Sequence, residues 1–182
     1  MFIVVDDDGN VPPLGEIGHI AVRLTDPWPP GLFAGYYQGG ELDSAAFRNG
    51  WYYTGDTAKR DKEGYFWFVG RTDDVTTSSG YRIGPAEIED CLMKHPAVGM
   101  AAVIGIPDEL RTQIVKAFIV LSPGASPCQT LEDEIKDFVK VRLAAHEYPR
   151  KIEFVEELPL TATGKIMRRE LRQLEIRRKG PE

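Results

Sequence analysis

Two continuous apolar runs, Val98 to Ile106 and Ile114 to Leu121, constrain the fold more than any other feature of this chain. Both are rich in β-branched residues and neither alternates with polar positions, the pattern of strands covered on both faces. Helical patterns stand on either side to provide that cover. Pro85 suits a first helical turn, and Ile88, Cys91 and Leu92 then share one face. Lys94-His95-Pro96 ends that helix, because proline disfavours helix in the residue before it. His95 reads as a helix C-terminal residue that suits the dipole, and not as a ligand. Leu131, Ile135, Phe138 and Arg142 keep a helical spacing, with Val139 and Leu143 beside them. Lys151 to Val155 reads as a further strand and Met167 to Arg178 as a final helix. The order α, β, β, α, β, α after a short hairpin predicts a compact α/β domain in which helices cover a three-stranded sheet.

The first third follows other rules. Phe2 to Val5, Ile17 to Leu24 and Gly64 to Arg71 read as strands, with turns at Asp7-Asp8-Gly9-Asn10 and Lys62-Glu63-Gly64. Pro27 to Phe33 is excluded from helix and reads as a surface crossing. The dense aromatics between Tyr36 and Phe68 suit a small β-barrel core better than an aromatic cage. The pattern changes at Asp74. The predicted class is therefore α+β, a β-rich partial barrel followed by the α/β domain.

Composition narrows the function. The 182 residues, 42% of them hydrophobic, suffice for about one ordinary domain and an appendage. A net charge of −6 argues against nucleic acid as a partner. The basic residues Arg168, Arg169, Arg172, Arg177, Arg178 and Lys179 read first as a solvated helix face and only distantly as a phosphate patch. Cys91 and Cys128 lack metal-ligand spacing and imply a reducing compartment. No apolar run approaches membrane-spanning length, and Met1 to Asp8 lacks a basic leader region. The expectations are no metal site, no membrane span and a cytoplasmic location, with any targeting signal open to loss upstream.

Three polar clusters carry chemistry. In Pro159-Leu160-Thr161-Ala162-Thr163-Gly164-Lys165-Ile166-Met167-Arg168, a lysine follows Thr-x-Thr-Gly directly. The threonine hydroxyls can bond nearby backbone and Gly164 can take φ > 0, which would present Lys165 on a short anchored loop as a point charge for a carboxylate or phosphate. Trp51-Tyr52-Tyr53-Thr54-Gly55-Asp56 reads as an aromatic run ending in a turn, whose acceptor-only carboxylate can serve either its own backbone or both hydroxyls of a ribose. Gly70-Arg71-Thr72-Asp73-Asp74-Val75 and Ser78-Ser79-Gly80-Tyr81-Arg82-Ile83-Gly84-Pro85 then place arginines, glycines and hydroxyls close together. Their glycines follow neither the P-loop nor the dinucleotide-binding spacing.

In this order the clusters, with Gly15-Glu16-Ile17-Gly18 and Glu87-Ile88-Glu89, resemble the adenylate-forming superfamily: acyl-CoA synthetases, peptide-synthetase adenylation domains and luciferases. Gly64 to Arg71, Ser78 to Pro85 and Glu147-Tyr148-Pro149-Arg150-Lys151-Ile152-Glu153-Phe154 are similar to the acetyl- and medium-chain acyl-CoA synthetase branch. The resemblance spans Gly15 to about Leu171. It implies the C-terminal third of such an enzyme, a truncated reading frame or a fragment, inactive alone, because the family's phosphate loop, its magnesium-holding glutamate and its acyl pocket belong to a first half not seen here.

The resemblance also implies roles. A carboxylate attacks the α-phosphate of ATP and expels pyrophosphate, and the thiol of coenzyme A then takes the acyl group, leaving AMP. Lys165 would be the catalytic lysine bridging carboxylate and phosphate. Asp56 would hold the ribose hydroxyls, and Arg71 and Arg82 would face the nucleotide. Asp73 would be the hinge about which the small domain rotates between steps, which sets the domains at 1–72 and 73–182. Gly80 would line the pantetheine tunnel, and Lys140 would meet the nucleotide end of coenzyme A or simply be an exposed helix lysine. Mg2+ is expected for the full enzyme, with its ligand outside this chain. Two departures stand out: Thr76 puts a hydroxyl in an apolar slot, and Thr112 replaces a glycine, at the cost of strain if φ there is positive. Two rivals remain, an adenylation domain loading a carrier protein, and a non-catalytic docking module, which would expose an apolar patch in residues 1–72.

Overall fold

The computed structural model describes residues 2–38 and 41–179. The chain forms two compact units, Met1–Asp73 and Asp74–Glu182. The first contains β1 (Phe2–Val5), β2 (Ile17–Arg23), β3 (Tyr36–Gln38), β4 (Glu41–Asp43), β5 (Phe47–Arg48), β6 (Trp51–Arg60) and β7 (Phe66–Arg71). Strands β3 and β4 make a separate hairpin, and the others form one sheet in the order β1-β2-β6-β5, with β7 also on β6. All its pairings are antiparallel. Val5, Ala21, Trp51 and Tyr53 form its core. A second aromatic group, Phe33, Phe47 and Tyr52, packs ring against ring at 5.1 to 5.7 Å. The aromatics expected as barrel core are thus divided, since Tyr37, Phe66, Trp67 and Phe68 stand exposed.

A 3-10 turn, Thr72–Asp74, leads to the second unit. There follow β8 (Thr76–Ser78), β9 (Tyr81–Ile83), α1 (Pro85–Leu92), β10 (Val98–Asp108), β11 (Thr112–Leu121), α2 (Gln129–Lys140), β12 (Lys151–Phe154) and α3 (Arg168–Lys179). Three strands form the expected sheet, with β10 antiparallel and β12 parallel to β11. The β8–β9 hairpin extends it to five through one pairing, Thr112 with Ser78. That extension rests on a single bridge and leaves no trace in hydrophobic pattern.

The two apolar runs are buried on both faces, as their composition requires. Ala101, Val103, Val115, Ala117 and Ile119 pack with Ile88, Cys91 and Leu92 of α1 and Ile135 and Val139 of α2. Ala102, Ile104, Ile106, Ile114 and Phe118 face the other way, with Leu158 and with Leu171 of α3. Lys116 shares that second face and is 7% exposed. Its Nζ lies 2.8 Å from both Glu153 Oε2 and Glu175 Oε1, and Arg178 Nη1 bonds Glu153 at 2.7 and 2.9 Å. Cys128 caps α2 by accepting from the Leu131 amide at 3.4 Å. Helix α1 ends at Leu92, short of the predicted end at Lys94-His95, and His95 lies beyond it, buried, with Nδ1 accepting from the Ala97 amide.

The two departures resolve differently. Thr76 is 2% exposed, in a slot against Gly105, where an added Cβ would stand 2.8 Å from its hydroxyl. Thr112 does adopt positive φ, 68°. Thr112→Gly is therefore expected to raise stability by about 0.5–1 kcal/mol, a left-handed penalty of about 1–2 kcal/mol less glycine's own entropy loss. Urea midpoints check this, and an unchanged or lower midpoint contradicts it.

Burial alone would raise the Glu153 carboxyl, but bonds from Arg178 and Lys116 outweigh it and hold it below its usual 4.5. Its folded value lies below its unfolded one, so its stabilisation is complete above that value and is lost as pH falls through the depressed one. Glu153→Gln should lower stability at neutral pH and flatten the acid limb of the stability–pH curve. A parallel shift of the whole curve contradicts this.

Candidate active site

The segment from Pro159 to Met167 is a miniature hairpin. Met167 N–H donates to Pro159 O at 2.8 Å, Leu160 bridges Ile166, and Thr161 N–H donates to Lys165 O at 2.8 Å. The Thr161 hydroxyl accepts from the Lys165 amide at 3.0 Å and shares a 3.0 Å bond with the Thr163 hydroxyl. Gly164 has φ 79° and its N–H donates to Thr161 O. The amides of Thr161, Gly164, Lys165 and Met167 are therefore bonded within the loop itself. Lys165 is exposed, and its ammonium makes no ion pair among the described residues. A loop fixed by its own bonds with a free cation at its tip is organised before any anion arrives.

Asp56 lies within β6 and not at a turn. Tyr53 pairs with Ala21 and Thr57 with His19, so Thr54, Gly55 and Asp56 together face Ile20. This is a bulge, with Gly55 at φ 82°. A Thr-Gly-Asp triplet fits either outcome, and only the unbroken pairing of β2 on both sides selects the bulge. The Thr54 hydroxyl donates to Ile20 O at 2.9 Å and accepts from the Asp56 amide at 3.2 Å. Arg71 is the cross-strand neighbour of Asp56. Its Nη1 lies 2.9 Å from Asp56 Oδ1 and 3.3 Å from Thr54 O. The guanidinium covers Gly55 so closely that a Cβ there would stand 2.7 Å from Nη2. The side chains are 54% and 35% exposed, so the pair contributes only about 0–1 kcal/mol and serves mainly to orient two groups toward solvent.

The Ser79–Gly80 turn joins β8 to β9 with φ of 49° and 84°. A Cβ at Gly80 would meet nothing within 4 Å, so conformation and not space calls for glycine here. Beside it is a cavity of about 270 Å³ lined by Ser78, Ser79, Tyr81, Arg111, His146 and Arg150, among others. Tyr81 and His146 stack at 4.0 Å and 13°. Arg111 and His146 escaped the sequence reading because each comes from a separate loop. Arg150 lay within a family-like segment but carried no role. Arg82 is half-buried on β9, and Lys140 ends α2, exposed, with Nζ 5.8 Å over the Tyr148 ring. Neither lines the cavity.

The basic face of α3 corrects an expectation. Arg168 and Arg172 are only 19% and 29% exposed and pair with Asp74 and Glu89, so these two arginines are internal ties. Nothing in the spacing of the arginines showed the distant carboxylates. Among the described residues no His, Cys, Asp or Glu group is placed to hold a metal ion, and no helix is long and apolar enough to cross a membrane.

Residues 87–165 match the family described as AMP-binding enzyme C-terminal domain. Over 97% of its length the chain is 51% identical to 4-hydroxybutyrate–CoA ligase 1 of Metallosphaera sedula, of which it covers 32%. It is 49% identical over 94% of its length to human mitochondrial acyl-coenzyme A synthetase ACSM5, covering 30% of it. The anthranilate CoA ligase AuaEII, solved with anthranoyl-AMP, superposes with a TM-score of 0.80 at 41% identity, over 96% of this chain and 33% of that one. The chain thus spans about a third of the length of the curated relatives it matches.

Gly55→Ala forces a Cβ into the Arg71 guanidinium at a left-handed position. It should cost about 1–2 kcal/mol and release Arg71 from Asp56. Thermal melts and the Arg71 side-chain NMR signal check this, and an unperturbed Arg71 signal contradicts it.

Proposed function

We propose that this chain, which belongs to the adenylate-forming acyl-CoA synthetases, supplies such an enzyme with its mobile lysine, its ribose-binding carboxylate and its coenzyme A loop. The whole enzyme joins a carboxylic acid, a medium-chain fatty acid or a similar one, to coenzyme A with ATP converted to AMP and pyrophosphate. The observation that carries this reading is the free ammonium of Lys165 on its self-bonded loop. In the first step two anions approach each other, and the Lys165 charge offsets their repulsion and the charge building on the phosphoryl oxygens. Asp56 accepts from the ribose hydroxyls, and Arg71, already bonded to it, stands at the nucleotide edge. Asp73 is the hinge, and Arg82 faces phosphate. Magnesium is assigned to residues outside this chain, and the two free cysteines suit a reducing, cytoplasmic setting.

Coenzyme A is favoured over a carrier protein by the cavity beside Gly80. Its stacked Tyr81 and His146 offer a face for adenine, and Arg111 and Arg150 offer charge for phosphates. A carrier protein would bring no adenine nucleotide to such a place. Lys140, at the end of α2, lies outside that cavity and is either a more distant cation for the nucleotide end of coenzyme A or an exposed helix lysine.

In an enzyme completed with the N-terminal two thirds of the Metallosphaera sedula ligase, Lys165→Ala should lower adenylation, read as pyrophosphate release, by about 10²–10³-fold. Thioester formation from supplied acyl-adenylate should be largely preserved. Equal losses in both half-reactions would remove the assigned role.

A further inference from the structure

Asp73 stands between two side-chain clamps, each within its own unit. On the first side, the Thr72 hydroxyl is 3.3 Å from Nδ1 of His19, whose Nε2 lies 2.7 Å from Asp7 Oδ1. His19 is 3% exposed on β2 and packs edge-on against Tyr53 at 5.4 Å. On the second side, Asp74 receives two guanidinium groups, Arg172 Nη1 on Oδ1 at 2.8 Å and Arg168 Nη1 on Oδ2 at 3.3 Å. Arg168 also forks onto Glu89 of α1, with Nε to Oε1 at 3.1 Å and Nη2 to Oε2 at 2.5 Å. Glu89 Oε1 in turn accepts from the Val103 amide of β10 at 2.8 Å. Asp73 itself is exposed and has no side-chain partner among the described residues.

We propose that these clamps confine backbone freedom to Asp73 alone, and that Arg168 and Arg172 are positioning residues that make the Lys165 loop move as one body with Asp74. The proposal rests on the adenylation reading and deepens it. Arg168 is the third residue after Lys165 and begins α3, so the loop is anchored where the network is densest. Both oxygens of Asp74 are occupied, which fixes the orientation of its carboxylate as well as its place. Buried ion pairs of this kind return little net stability and mainly define geometry. Burial works against the Arg168 charge, yet the bonds from Glu89 and Asp74 outweigh it and raise its proton affinity. Burial also lifts the Glu89 carboxyl above its usual range, so without Arg168 it can be neutralised in place and the fold kept.

The test is backbone 15N relaxation and amide exchange on the full 182-residue chain. Among residues 71–75, only Asp73 should show excess mobility, with the 161–167 loop protected. Arg168→Met should raise exchange at Asp74 and at residues 162–165 by about tenfold, a local opening, while the rest of β10 and β11 is unchanged. Arg172→Lys should keep the single contact to Asp74 and behave as the parent, whereas Arg168→Lys cannot fork across two carboxylates and should behave as Arg168→Met. His19→Phe should extend mobility to Thr72 and leave 162–165 unchanged. If Arg168→Met does not fold, Asp74→Asn gives the same reading with shape retained. Parent mobility spread over 72–74, or a folded Arg168→Met chain whose exchange rises uniformly or nowhere, overturns the proposal. No nucleotide or activity enters this measurement, so its failure leaves the adenylation reading standing, and failure of that reading leaves the clamps standing.

Discussion

Asp74 and Glu89 are two carboxylates taken largely out of water to receive Arg168 and Arg172, and the placement of the last third of the second unit follows from that exchange. Helix α3 buries one apolar side chain well, Leu171, and leaves Ile176 exposed. One apolar contact gives a helix neither register nor direction. The arginines fix its first turn, and Glu175 and Arg178, with Lys116 and Glu153, fix its last. Such pairs need partners at set distances and angles, so they specify a position more sharply than an apolar seam of similar area. The Lys165 loop takes its position from this ionic frame, directly N-terminal to it.

The same economy of backbone appears at each candidate site. Gly55 permits a bulge that turns Asp56 outward beneath Arg71, Gly164 closes the lysine loop, and Gly80 closes the hairpin beside the arginine-lined cavity. Each feature fixes backbone internally and leaves a charged or polar group facing solvent. That division suits groups whose partner is a ligand, because the ordering entropy has been spent in folding and not at the moment of binding.

The elements of the second unit were legible because they rest on pattern. Two unbroken apolar runs required cover on both faces: Ile88, Cys91, Leu92, Ile135 and Val139 supply it on one at helical spacing, and Leu158 and Leu171 on the other. The lysine loop was legible because threonine and glycine chemistry is local. Asp56 was placed at a turn because a bulge and a turn share the same residues, and only the long-range pairing of β2 distinguishes them. Arg168 and Arg172 read as solvated because their partners lie some 80 to 100 residues away, at separations of 79, 94 and 98. Lys116 was hidden likewise, a cation within an apolar run whose counter-charges come from β12 and α3. Local geometry was readable and long-range charge pairing was not, since no periodicity encodes it.

The central claim is that one ionically fixed body carries Lys165 to and from a nucleotide held elsewhere. The most direct measurement is the distance between spin labels at Ala162 and Lys59, read by pulsed dipolar spectroscopy in a completed enzyme with Cys91 and Cys128 replaced. The account predicts one sharp distance with ATP and a different, equally sharp one once acyl-adenylate and a coenzyme A analogue are bound. A single distance that ignores the ligand, or a broad distribution in every state, would contradict it.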